Sequence, residues 1–127
     1  MKKNKFIEQV VTQVKRPVYG RVGEPYSFGD HKLRFSPGTR PVRTKYATSQ
    51  EVNARNDALQ VELVLRVLSS GDTAIDIGAH AGQYGFLMSS QCGQSGQVIC
   101  FEPDPDAITM LENNFSLNKN LEGPCPV

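Results

Sequence analysis

Apolar residues fall at helical spacing over residues 4–15, where Phe6, Ile7, Val10, Val11 and Val14 share one face. Pro17 is expected to end that helix. The pattern then switches to alternation. Tyr26-Ser27-Phe28 and Leu33-Arg34-Phe35 flank Gly29-Asp30 and predict a β-hairpin. Residues 37–46, with Pro37-Gly38 and Arg40-Pro41, read as a linker. Helical spacing returns with Ala58, Val61, Val64, Leu65 and Leu68, with Asp57 as the expected cap and Gly71 as the stop. Two short apolar runs, Thr73–Ile77 and Gln97–Phe101, predict buried strands. Between them Gly78 to Gly82 form a loop and a helix begins near Gln83, with Gly93 and Gly96 at its exit. Asp104 caps a last helix, with Pro105 at its first position, Asp106 in its first turn and Ile108, Leu111 and Phe115 along one face.

The order from residue 72 onward is strand, glycine loop, helix, strand, helix. That is a βαβα unit, and the chirality of such connections makes its two strands parallel in one sheet. The fold class is α/β. A length of 127 residues and a mass of 14.0 kDa leave room for one globular domain. Residues 1–46 read as a basic N-terminal extension, helix plus hairpin, and residues 47–127 as the α/β part.

Composition and charge narrow the choices. The longest uninterrupted apolar run, Val98 to Phe101, is far short of the roughly 18 residues a membrane helix needs. The start Met1-Lys2-Lys3-Asn4-Lys5 is charged like the front of a signal peptide, but no continuous apolar stretch follows it. A cytoplasmic location is the expectation. The net charge of +1 hides a split: residues 1–46 hold eleven Lys/Arg against Glu8, Glu24 and Asp30, while residues 47–127 hold three against ten acids. The even spread of the basic residues favours a solvated or self-docking extension over a nucleic-acid arm. Cys92, Cys100 and Cys125 form no C-x-x-C pair, and His31 and His80 have no thiol nearby, so neither a disulfide framework nor a metal site is indicated.

The candidate chemistry lies in Asp76-Ile77-Gly78-Ala79-His80-Ala81-Gly82, where the first strand of the βαβα unit meets its helix. Glycines let a ligand approach the backbone there, and the helix N-terminus offers N–H groups to an anion. Glu102 ends the second strand, where a carboxylate can accept hydrogen bonds from both hydroxyls of a ribose. A dinucleotide loop requires G-x-G-x-x-G. This loop has only G-x-x-x-G, and Asp76 two residues earlier would tend to repel a pyrophosphate. An acid there suits a cationic group such as the ammonium of a methionine moiety. S-adenosylmethionine carries that ammonium, a carboxylate for the helix end, and a ribose. Taken singly, Asp76 also reads as a turn residue and Glu102 as a solvated strand-end charge.

Gly71-Asp72-Thr73-Ala74-Ile75-Asp76-Ile77-Gly78-Ala79-His80-Ala81-Gly82-Gln83-Tyr84, with Phe101-Glu102-Pro103 and Asn114…Leu117-Asn118, resembles the FkbM-type methyltransferases. The resemblance covers about residues 57–120. It implies a Rossmann-like class I fold, S-adenosylmethionine as cofactor, and transfer of a methyl group to a hydroxyl oxygen of a sugar or natural product. By position it implies that Asp76 and Gly78, Ala79, His80 and Gly82 hold the methionine end. Glu102 takes the ribose hydroxyls, Pro103 and Asp104 border the adenine, and Tyr84 helps to shape the pocket. His80 stands where the family usually has Asn, and both residues tolerate left-handed backbone.

The family continues after Asn118 with further strands, one bearing an acidic motif near the reaction centre. Here Lys119-Asn120-Leu121-Glu122-Gly123-Pro124-Cys125-Pro126-Val127 follows, and its two prolines argue against a buried strand. The expectation is the N-terminal half of the fold in a truncated or frameshifted chain of doubtful activity, with no catalytic base identified. The rival readings are a non-catalytic interaction segment built on the basic N-terminus and an NAD-binding half-domain. Two parallel strands without further partners expose sheet edges, which invites association between copies. Light scattering is therefore expected to show dimers or larger species. A sharp monomer peak with cooperative melting would count against it.

Overall fold

The structure, a computed structural model, describes residues 10, 13–37, 39 and 52–119, and of residues 52–57 the backbone alone. The described part of helix α1 is Val10 and residues 13–19. Strands β1 (Glu24–Phe28) and β2 (His31–Phe35) follow, then α2 (Val52–Val67), β3 (Thr73–Ile77), α3 (Gln83–Cys92), β4 (Gln97–Phe101) and α4 (Pro105–Leu117). The result is a small α/β protein with an antiparallel hairpin, β1–β2, and a separate parallel pair, β3–β4.

Pro17 lies inside α1 and does not end it. Its ring removes one N–H donor from the helix, and the turn closes later, where Gly20 N–H donates to Arg16 O at 2.9 Å and Gly23 N–H to Tyr19 O at 2.8 Å. The expected apolar face is not buried at the described positions: Val10 is 43% and Val14 69% exposed. Phe6, Ile7 and Val11 lie outside the described residues. What ties α1 to the hairpin is an ion pair, Lys15 Nζ to Glu24 Oε2 at 2.6 Å. Arg34 is also used internally, donating to the Val22 and Gly23 carbonyls.

The hairpin pairs Glu24 with Phe35 through Phe28 with His31 around the Gly29-Asp30 turn, as the alternation predicts. Its inward residues Phe28, Leu33 and Phe35 are fully buried and share one core with Val61, Phe86, Leu87, Val98 and Leu111. Aromatic rings run through that core: Tyr26 lies edge-on to Phe35 (centroids 5.8 Å apart), Phe35 is 6.1 Å from Phe86, and Phe86 is 6.4 Å from Phe115. Fully burying Phe35 or Phe86 contributes roughly 1.5–3 kcal/mol each. The hairpin packs through β2 on α3 and α4, α2 packs on α3, and α3 covers β3 and β4.

Helix α2 begins at Val52, so Asp57 lies inside it and is not its cap. No Gly or Pro stands between the two positions to interrupt the hydrogen-bond ladder. Its expected core face holds, with Val61 fully buried and Val64, Leu65 and Leu68 packed on the core. Gly71 does not close α2 either. Its N–H donates to Cys92 O at 2.8 Å in the turn before β3. Gln91 of α3 serves the helix end instead, donating from Nε2 to the carbonyls of Leu65 (3.2 Å) and Leu68 (2.9 Å). Within the expected linker, Pro37 and Thr39 form an isolated bridge, and the rest lies outside the described residues.

Helix α4 starts as expected, with Asp104 accepting from Asp106 N–H at 2.9 Å and Pro105 in its first turn. Its buried face is not the apolar stripe. Ala107, Leu111, Asn114 and Asn118 are buried, whereas Phe115 is 36% exposed. Two asparagines displace the stripe because their amides bond backbone that the hairpin brings against the helix.

Among the described strands nothing pairs with the outer edges of β3 and β4. One face of this pair carries Ile75, Ile77 and Phe101 at 57%, 83% and 55% exposure. No described helix is long and apolar enough to cross a membrane.

Candidate functional site

Parallel register sets Asp76 opposite Cys100 and Ile77 opposite Phe101. Both strands therefore leave the sheet at the same edge, and the glycine loop after β3 meets the segment after β4. Phe101 O accepts from the N–H groups of Gly78 (2.8 Å) and Ala79 (3.1 Å). Glu102 adds a second tie. Its Oε2 accepts from His80 N–H at 2.8 Å and its Oε1 from Asp104 N–H at 2.9 Å. Each carboxylate oxygen offers about two lone-pair sites, so Glu102 holds both loops and keeps capacity for further donors.

The loop needs left-handed backbone at three positions: Gly78 (φ 80°), His80 (φ 47°) and Gly82 (φ 85°). His80 is the only described residue other than glycine with a positive φ, and its side chain is exposed. The glycines differ in what surrounds them. A Cβ on Gly78 would meet nothing within 4 Å, so the space beside it is open to a ligand. A Cβ on Gly82 would stand 2.6 Å from the Phe86 ring and 2.8 Å from Leu111 Cδ1, so there the core itself excludes a side chain.

Asp76 is the electrostatic centre of the site. It is 9% exposed, and its Oδ2 has no hydrogen-bond partner among the described residues. Burial pushes its pKa above the usual carboxylate value; a hydrogen bond from Gly85 N–H works against that shift, and the Glu102 charge adds to it. Gly85 belongs to the first turn of α3, so the acid stands at the start of that helix. A buried acceptor left unmatched costs about 1–3 kcal/mol, more when charged. A bound cation or N–H donor would recover that cost.

The structure thus brings Asp76, Gly78, Ala79, His80, Gly82 and Glu102 to one edge of the parallel pair. Pro103 and Asp104 follow directly and are exposed. Asp104 is already engaged in capping α4. Tyr84 is half-buried and packs on the core from the first turn of α3. Among the described residues no three His, Cys, Asp or Glu side chains group as a metal site would require.

One residue at the loop escapes a search for charged or nucleophilic side chains. Asn114, fully buried, donates from Nδ2 to Ala81 O at 2.9 Å. The signal available in the sequence was the spacing of Asn114 and Asn118, which sets two amides on one helical face.

No protein-family model and no curated protein matches this chain. The edge carries a buried Asp76 oxygen without a partner among the described residues, a second carboxylate at Glu102, and open space beside Gly78.

Proposed function

We propose that this chain forms the cofactor-binding half of an S-adenosylmethionine-dependent methyltransferase of the FkbM type, with a Rossmann-like class I fold and a cytoplasmic setting. The observation that carries the reading is the buried Asp76 carboxyl with an unpartnered oxygen beneath an open glycine loop. The ammonium of the methionine moiety is the donor that this oxygen lacks. Glu102, with spare acceptor sites, would take the ribose hydroxyls. Gly78, Ala79, His80 and Gly82 would shape the backbone beside the methionine end, Tyr84 would support it from α3, and Pro103 and Asp104 would border the adenine. A pyrophosphate, by contrast, would meet the Asp76 carboxylate beside the loop, which disfavours an NAD reading.

When bound, the cofactor supplies a methyl group on a positively charged sulfur. The residues of this chain contribute binding and orientation, which lower the barrier by fixing the reacting atom in place. The acceptor is proposed to be a hydroxyl of a sugar or other small molecule. No residue described here is assigned as the base that takes its proton.

The test is calorimetric titration with S-adenosylhomocysteine. Wild type is expected to bind it and to ignore NAD. Glu102→Ala should weaken binding by about 1.5–3 kcal/mol for each charged hydrogen bond lost, or roughly 10- to 150-fold. Unchanged affinity in a folded Glu102→Ala chain would remove Glu102 from the site. Absent binding by the wild type would overturn the reading as a whole.

A further inference from the structure

We propose that Asn114, itself held by Ser36 and Thr39 just beyond the N-terminal hairpin, is a positioning residue whose bond to Ala81 holds the glycine loop, so that cofactor affinity depends on that tether. The inference rests on the reading of that loop as the cofactor cradle. Asn114 is fully buried in α4, and its amide is used completely. Oδ1 accepts from Ser36 N–H at 2.7 Å and from Ser36 Oγ–H at 2.8 Å. Nδ2 donates to Ala81 O at 2.9 Å and to Thr39 Oγ1 at 3.1 Å. An Asn amide offers two donors and two acceptor sites, and all four are filled. The reverse orientation of the amide is excluded by the partners. It would set Nδ2 against the Ser36 N–H and Oδ1 against the Ala81 carbonyl.

One helical turn later, Asn118 repeats the device on the strand itself. Its Oδ1 accepts from Arg34 N–H at 2.8 Å, and its Nδ2 donates to Arg34 O (2.6 Å) and to Asn114 O (2.7 Å). The two amides stitch the end of β2 and the residues beyond it to α4. Only one of these contacts reaches the loop, and it falls on Ala81. That residue lies between His80, whose N–H is tied to Glu102, and Gly82, where α3 begins. A loop with three left-handed residues has several competing shapes. The Ala81 tether selects among them from outside the β3–β4 pair.

Two substitutions divide the roles of the amide. Asn114→Asp keeps the oxygen that serves Ser36 but replaces the Ala81 donor with a second oxygen facing a carbonyl. Ser36→Ala removes one hairpin bond and leaves the Ala81 tether in place. Both are compared with wild type by titration with S-adenosylhomocysteine at a temperature where melting curves show all three folded. Asn114→Asp is expected to lose at least about tenfold in affinity, and Ser36→Ala less than about threefold, although both melt earlier. Wild-type affinity in folded Asn114→Asp overturns the inference alone. Failure of wild type to bind overturns the cofactor reading and the inference with it. If Asn114→Asp does not fold, NMR titration of wild type decides. The Asn114 side-chain N–H₂ and Ser36 N–H signals should move with the same saturation curve as His80 N–H, because coupling between sites is reciprocal. Static Asn114 and Ser36 signals overturn it.

Discussion

Gly82→Ala is expected to lower the free energy of unfolding by about 2–5 kcal/mol, from about 1–2 for left-handed backbone and about 1–3 for overpacking. The physical cause is double. At φ 85° an L side chain is strained, and the new methyl would meet Phe86 and Leu111, both fully buried. Small domains are stable by only about 5–15 kcal/mol, so a change of this size is a large part of the total. Urea unfolding followed by circular dichroism measures it as a fall in midpoint. Gly78→Ala is the control: its φ of 80° carries the same backbone strain without any collision. It should cost only about 1–2 kcal/mol. Equal losses in the two variants would mean that Gly82 is not pressed against the core.

Asp76→Asn is expected to stabilise the ligand-free chain at neutral pH and to impair cofactor binding in the same protein. Burial raises the folded pKa of Asp76 above its ordinary value of 3.8. Between the unfolded and the folded pKa the folded state therefore binds more protons than the unfolded state. Wild-type stability must fall as pH rises through that window, and it stays lower above it. The variant carries no titrating group at this position. Its melting-temperature advantage should thus be smallest in acid, grow as pH rises past 3.8, and level off above the folded pKa. Removing the desolvated charge, at about 1 kcal/mol, corresponds to roughly 4–8 °C for a domain near 100 residues. Affinity for S-adenosylhomocysteine should fall by about 10- to 100-fold, as loss of a charged hydrogen bond implies. A pH-independent difference in melting temperature would show that Asp76 is not held in a desolvated place. A destabilised variant would show that its carboxylate is satisfied in the fold.

Gly82 and Asp76 have one property in common: each sits in a local arrangement that costs stability. Asp76 is a buried acid without a full set of donors, and the loop above it is held in left-handed conformations by Phe101 O, Glu102 and Asn114. The opposite holds for α4, where Asn114 and Asn118 are buried polar groups with their hydrogen bonds made. Such satisfied networks specify one packing of a core.

Much of the architecture could be read along the chain because it depends on neighbours in sequence. The alternation around Gly29-Asp30 placed the hairpin, and Thr73–Ile77 and Gln97–Phe101 were legible as strands from compact apolar runs. Asp104-Pro105 marked the start of α4 through chemistry confined to one turn. The juxtaposition of Gly78 and Glu102 also followed, since parallel strands joined by one helix must end at the same edge.

Other features needed the third dimension. Pro17 and Asp57 looked like helix boundaries, yet the ladders run past both, because one missing donor or a polar side chain does not outweigh the remaining bonds. The buried face of α4 departs from its apolar stripe because hydrophobicity alone cannot anticipate that Ser36, Thr39 and Arg34 supply partners for buried amides from about 80 residues away. Nor could the chain's local pattern distinguish Gly82, closed in by Phe86 and Leu111, from Gly78, which faces open space. The sequence by itself determined the elements, the order of the βαβα unit and the residues gathered at its edge. Only the tertiary structure decided which of them is strained, which is buried without a partner, and how the hairpin reaches the loop, because those properties belong to contacts between segments far apart in the chain.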